Sequence, residues 1–400
     1  MSTLTNAPLT VETAVERARA LADHFRVRLA DYDRRAVFPA ENFDEIREAG
    51  LHTLTVPTEY GGLGMWELGG RFTEYYQVIE LIAYADSSTA QLLQVHCHAT
   101  GMIAALGTPA QRAFYMSEVV DQGRLIASIG SEAQLKSTEQ EVYKAELVRR
   151  PGGDYVLNAK KAFGSLAGGA DYFNIWTAVE GPGGFADRMV VVTVPRDTPG
   201  FTMEDNWDTL GMRHTTSWAL NFENVQVPEA WVVGAPGAWI RNDQRTFTLA
   251  YAANHLGTAQ AAFDFAASYV GQRPHLAKSE IIQARLGDLS SKLYAARCAV
   301  YSAASRWDNR DDPNQAELDG IRALHLAKRL AIEISNEAYD LCGARVAHNM
   351  YALNQIFRDV RAFTLHFRDD LYTAQVGRAE LGEQFVVKGD ESGSTPHDQA

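Results

Sequence analysis

The side chains of this 400-residue chain best able to hold or pass a proton near neutral pH are histidines. Two matter here, His96 in Val95-His96-Cys97-His98 and His366 in Leu365-His366-Phe367; taken alone, His96 reads as a satisfied core histidine. His96 and His98 form an HxH pair, a pattern that raises metal binding. On a helix, positions i and i+2 point about 200° apart and cannot share one ion. The i, i+4 spacing and carboxylate partner of a helical metal site are also missing. Ser165 follows a β-type run and precedes a Gly-rich turn, so it is either a turn former or a contact to a bound group. No Ser-His-Asp order or nucleophile elbow supports hydrolysis. Asp369-Asp370 at a helix start reads as capping rather than as a catalytic pair. Arg345, after Gly343-Ala344, suits either a phosphate or the end of the preceding helix, where the dipole favours a cation. Cys97, Cys298 and Cys342 form no CxxC pair, which argues against a disulfide framework or structural zinc. Cys97 and Cys342 read as small buried fillers.

The elements that must position these residues fall into three blocks. Residues 10–120 carry helical periodicity, as in Ala14, Ala18, Leu21, Ala22, Phe25 and Leu29. Helices are expected over 11–32, about 39–50, 66–84, 87–106 and 109–121, with a turn cluster at Val56-Pro57-Thr58-Glu59-Tyr60-Gly61-Gly62-Leu63-Gly64. From Gly123 to about 235 short β-type runs replace them: 125–130, 142–148, 155–157, 172–179, 189–194 and 218–222. Long helices return over 243–271, 279–308 and 314–341, with a broken pair after 350, the pattern of a four-helix bundle. The expected units are an N-terminal helical domain (1–122), a middle β-domain (123–240), a C-terminal bundle (241–388) and a disordered tail (389–400). That order excludes Rossmann and TIM arrangements, which alternate strand and helix throughout. The formal net charge of −13 leaves no basic surplus for nucleic acid. No apolar run of about 18 residues marks a membrane span. Met1 to Thr10 lacks a secretion-signal pattern, so the expected location is the cytoplasm.

Four segments in this order resemble the acyl-CoA dehydrogenase superfamily. They are the 56–64 turn cluster; Gly211-Met212-Arg213 with Asn221-Phe222-Glu223-Asn224-Val225-Gln226-Val227-Pro228; Leu256-Gly257-Thr258-Ala259-Gln260; and Gln272-Arg273 with Gln283. The resemblance implies an α+β multidomain fold: helical domain, middle β-barrel or sandwich, and four-helix bundle. It further implies a flavin between β-domain and bundle, and a homotetramer built as a dimer of dimers. Arg273 would then reach flavin phosphates across a subunit interface, a task suited to a permanently charged two-donor guanidinium. The alternative is an arginine that merely solvates a helix end.

The chain departs from the dehydrogenases where their base should stand. Removing an α-proton from a thioester needs a carboxylate aimed at the carbon. The segment after Phe357-Arg358-Asp359-Val360-Arg361 reads Phe367-Arg368-Asp369, and the other known location reads Thr246-Phe247-Thr248. Gly343-Ala344-Arg345 replaces the usual Gly-rich flavin turn. These features resemble the flavin-dependent monooxygenase branch, of the dibenzothiophene monooxygenase type. By that resemblance His96, Ser165 and His366 are catalytic, the serine lying near flavin N5 and the imidazoles donating to a flavin–oxygen adduct. Trp207 would cover the isoalloxazine. Ser128 and Ser131 would replace the usual Thr-Glu-Pro flavin contact, while Gln283, Gly343, Ala344 and Arg345 complete the cofactor set. The implied reaction uses reduced FMN (or FAD) and O₂ through a C4a-(hydro)peroxyflavin to oxygenate a small apolar or aromatic substrate. A separate NAD(P)H-dependent flavin reductase would supply the reduced flavin. The rival expectation is a divergent acyl-CoA dehydrogenase or oxidase whose base has moved, for example to Glu380 or Glu383. A third is a ligand-binding scaffold without activity.

Overall fold

The computed structural model describes residues 8–67, 69–132, 146–239, 247–366 and 369–385; the expected tail at 389–400 lies outside them. Helix α1 (Val11–Arg35) starts where Thr10 and Thr13 cap each other reciprocally, and ends at Ala36 in the left-handed region. Its stripe of Ala14, Ala18, Leu21, Phe25 and Leu29 is buried, as the periodicity requires. After α2 (Ala40–Glu48) comes α3 (Phe72–Ala85). The helix expected from residue 66 begins only at Phe72, because Gly69 takes φ +74° and the chain turns there. Asp308 then accepts from the Phe72 and Thr73 amides at 2.7 and 3.3 Å, tying that start to the bundle.

Helix α4 (Ser87–Leu106) runs through the middle of the molecule, with every residue from Ser87 to Ile103 buried. Asp86 caps it through the Thr89 amide. Helix α5 (Pro109–Val120) opens with a Thr108–Gln111 capping box and proline in the first turn.

The β-region is one eight-stranded sheet. Its strands are β1 (Ile126–Ile129), β2 (Glu146–Arg149), β3 (Tyr155–Gly164), β4 (Tyr172–Val179), β5 (Met189–Pro195), β6 (Phe201–Glu204), β7 (Trp218–Val227) and β8 (Val232–Val233). The order is β6-β7-β3-β2-β4-β5-β8, with β1 parallel to β4. A four-residue helix, α6 (Phe185–Arg188), joins β4 to β5. Strands β6 and β8 were not expected; two to four residues are too few to show alternation. The β3–β7 ladder slips between Lys161 and Gly164, and this bulge places Phe163 at φ +54° on the rim of the site.

The bundle comprises α7 (Phe247–Gly271), the short α8 (Pro274–Ala277), α9 (Glu280–Asp308), α10 (Pro313–Cys342), α11 (Ala352–Phe363) and α12 (Asp369–Glu380). One apolar core runs from α1 through α3, α4 and the sheet into α7, α9 and α10. A smaller one joins α4 and α5 to β5 and β8. Thus α4 touches both the sheet and α7, and the functional cavity opens where these three meet.

Candidate active site

A cavity of about 260 Å³ has two walls of different character. The β wall presents Ser128, Gly130, Ser131, Phe163 and Ser165, and the helical wall presents Gln91, Gln94 and His98 from α4 with Tyr251 from α7. His366, just beyond α11, completes the rim. Trp66, Tyr75 and Trp176 supply aromatic surface. No carboxylate stands among the described lining residues. Glu380 and Glu383 border a different surface hollow, and Glu380 pairs with Arg322.

Ser165 and His366 therefore meet, as expected, but His96 does not join them. Its ring is fully buried; Nδ1 accepts from the Ile126 amide at 3.0 Å, which leaves Nε2 to donate to His52 O at 2.9 Å. Both nitrogens are spent fastening α4 to its neighbours. The imidazole at the cavity is His98, two residues on. Its Nδ1 lies 3.1 Å from Ser128 Oγ; that hydroxyl accepts from Trp176 Nε1 at 3.1 Å and can give its own proton to Nδ1, which leaves the His98 proton on Nε2. Ser128 thus orients a histidine and a tryptophan. Residues 91, 94 and 98 share one helix face, whereas 96 points elsewhere. The i, i+3, i+7 spacing of Gln91, Gln94 and His98 along this helix was the overlooked signal.

Tyr251 was also overlooked. Its hydroxyl lies 2.6 Å from His366 Nε2, with the rings stacked at 4.5 Å. Gln91 Nε2 donates to the same hydroxyl at 3.2 Å. Burial raises the Tyr251 pKa well above its usual value, while amide donors from Gln91 and Gln94 partly offset this. A phenol that accepts from Gln91 directs its own proton to His366 Nε2. The remaining His366 proton then sits on Nδ1. Close packing and the Lys328 charge lower the His366 pKa to about 4, although part of the residue stays open to solvent. The neutral ring is the working form.

A second chain of hydroxyls leads to Ser165. Met212 O can only accept, and it takes the Thr215 hydroxyl at 2.8 Å and Trp207 Nε1 at 2.9 Å. Having given its proton away, Thr215 Oγ1 accepts from Ser217 Oγ at 2.7 Å, and Ser217 accepts from Ser165 at 2.8 Å. Ser165 is left with lone pairs for the cavity. The loop is fixed from behind, where Asp359 accepts the Met212 amide at 2.6 Å. A Cβ at Gly211 would lie 2.1 Å from Arg358 O, so the loop and α11 can approach only through glycine.

The remaining expected cofactor residues lie away from this cavity. Trp207 packs edge-on against Phe163 at 5.9 Å but does not line it. Arg273 lies over the Tyr269 ring at 3.3 Å and donates to Tyr269 O at 2.7 Å. Gln283 is exposed and donates to Ala277 O. Gly343, with φ +80°, is followed by exposed Ala344 and Arg345.

Burial pushes the pKa of His52 and His98 down to about 4, and that of His96 and His255 down to about 3. It also pushes Asp359 up to about 7. Between pH 6.5 and 4 the unfolded chain protonates all four histidines while the folded one keeps them neutral. Asp359 opposes this by one proton, held only when folded. With solvent-open His366 discounted, the unfolded state therefore binds about three more protons, and stability should fall by about 4 kcal/mol per pH unit near pH 5. A thermal midpoint equal at pH 7 and pH 5 would contradict this accounting.

The N-terminal, middle and C-terminal domain families of acyl-CoA dehydrogenase match residues 11–123, 128–225 and 247–366. The chain belongs to the acyl-CoA dehydrogenase family, and within it to the flavin-dependent monooxygenase branch. It is 28% identical to the dibenzothiophene monooxygenase of Rhodococcus erythropolis over 93% of this chain and 94% of that one. It superposes on TdsC from Paenibacillus sp. A11-2, in complex with FMN and indole, with a TM-score of 0.85. That match has 25% identity and covers 94% and 98% of the two chains. Butyryl-CoA dehydrogenase from Megasphaera elsdenii shares the fold, with a TM-score of 0.85 at 23% identity over 94% of this chain and 100% of that one.

The β wall fits a flavin. Ser131 and Ser165 offer hydroxyl oxygens along one side of the cavity, with Gly130 lining it beside them. No group of three or more metal-ligating side chains occurs among the described residues. No helix among them is long and apolar enough to cross a membrane.

Proposed function

We propose that this chain is the oxygenase of a two-component system. It takes reduced FMN from a separate NAD(P)H-dependent flavin reductase and transfers one atom of O₂ to a small apolar or aromatic substrate. The other atom leaves as water, and the flavin leaves oxidised. The observation that carries this reading is a cavity with two imidazoles, a proton-poor serine and no carboxylate among its described walls. Such a site cannot abstract an α-proton but can hold a proton donor still. Bound flavin would supply the oxygen chemistry, and the protein's task is orientation and exclusion of water.

Each residue has a stated part. Ser165, an acceptor after donating to Ser217, suits the N5–H of reduced flavin and offers nothing to the bare N5 of the oxidised form. His366, its tautomer set by Tyr251, and His98, held beside Ser128, would donate to developing negative charge on oxygen. Trp207 would cover the ring from the Phe163 side. The working units are 1–122, 123–240 and 241–388. The protein would act in the cytoplasm as a homotetramer in which Arg273, Gln283 and the Gly343-Ala344-Arg345 turn hold flavin phosphates of a neighbouring subunit. This accounts for their distance from the cavity of their own chain.

The test combines titration with rapid mixing. Reduced FMN should bind more tightly than oxidised FMN by about tenfold, and Ser217→Ala should narrow the gap. Anaerobic protein with reduced FMN, mixed with oxygenated buffer, should show a transient absorbance belonging to neither flavin form. If substrate instead bleaches bound oxidised flavin without any reductase, the chain works as a dehydrogenase and the proposal is wrong.

A further inference from the structure

The helical wall carries hydrogen-bonding groups that the protein leaves unused. Gln91 and Gln94 are each 3% exposed and line the cavity, yet the Oε1 of each has no partner. Trp66 Nε1, at 5% exposure for the residue, is a buried donor in the same state. Tyr251 orients one amide directly: Gln91 donates its N–H to the hydroxyl at 3.2 Å, so its carbonyl is what remains, and the Gln94 carbonyl is likewise without a partner. A buried carbonyl without a donor is costly, and two on one helix face, three residues apart, are not packing accidents. Around them Trp66, Tyr75, Trp176 and Tyr251 give flat apolar surface for a ring.

We infer that the substrate is an aromatic compound carrying an N–H or O–H donor, seated with that group against Gln91 and Gln94. The inference rests on the proposed function only in placing substrate in this cavity, opposite a flavin on the β wall. A ring N–H satisfies a glutamine carbonyl. A ring O–H does the same and can also accept from Trp66 Nε1. An aromatic sulfur donates nothing and leaves both carbonyls bare, so thiophene-type rings are disfavoured. Residues 91 and 94 thus set specificity, while His98 and His366 face the chemistry.

The experiment is calorimetric titration of the full-length, flavin-free protein with indole and with benzothiophene, bicycles that differ in N–H against sulfur. Indole should bind about tenfold more tightly, because a site built for a donor penalises the analogue lacking it. Gln94→Met should remove most of that preference while benzothiophene affinity holds or rises, which also shows that the variant folds. Equal affinities in the native protein would overturn the inference, since the carbonyls would then be served by water. It would also be overturned if Gln94→Met weakened reduced FMN binding but left the preference intact, because the carbonyls would then belong to the flavin. Neither result depends on oxygenation, so failure of the proposed function, read by rapid mixing, stays distinct.

Discussion

His366→Ala is expected to bind reduced FMN almost normally, consume O₂ and release hydrogen peroxide in place of oxygenated product. The ring stands on the rim opposite the β wall, held by Tyr251. Removing it deletes a donor aimed where charge develops and admits water at an exposed position. Loss of one preorganised donor costs about 3 kcal/mol of barrier, or about a hundredfold in product formation. Tyr251→Phe should fall between the two, since the imidazole remains but its tautomer is free. The measurement is product formed per O₂ consumed. Normal coupling in His366→Ala would remove His366 from the mechanism. The low His366 pKa also predicts coupling independent of pH from about 6 to 8.

The long elements were legible because each carries its own period. Strand β4 has the bounds that its apolar run implies, and the bundle helices fall within a few residues of their amphipathic pattern. The site was legible in part, and the failures share a cause. Helix α4 is buried on all sides, so hydrophobicity does not reveal which residue faces the cavity. His96 and His98 were indistinguishable by composition; only the Gln91–Gln94–His98 face separates them. Tyr251 sits in Leu249-Ala250-Tyr251-Ala252-Ala253, where an aromatic residue reads as core. Its hydroxyl matters only through a partner 115 residues away. The same holds for the Ser165–Ser217–Thr215 chain, whose direction is fixed by one carbonyl in a distant loop.

Lys161→Met should be the most destabilising single change near the site. Lys161 is 1% exposed, and its ammonium donates to Glu132 Oε1 at 2.9 Å, Trp176 O at 2.7 Å and Gly130 O at 3.2 Å. Burial lowers its pKa to about 8 against the pull of Glu132, so the pair forms at a substantial desolvation cost. Removing only the cation takes its ion pair from a buried carboxylate and its hydrogen bonds from two carbonyls, a loss of about 3–5 kcal/mol. Lys161→Met with Glu132→Leu should regain much of that stability, because both members of the buried ion pair are then replaced by apolar groups. Function should not return with it. Gly130 and Trp176 line the cavity, and the ammonium ties their carbonyls to β3. The double variant is therefore expected to melt close to the native protein yet bind reduced FMN more weakly, separating the pair's structural role from its role in shaping the flavin wall. A single variant that melts within about a degree of native would show the charge to be solvated rather than buried.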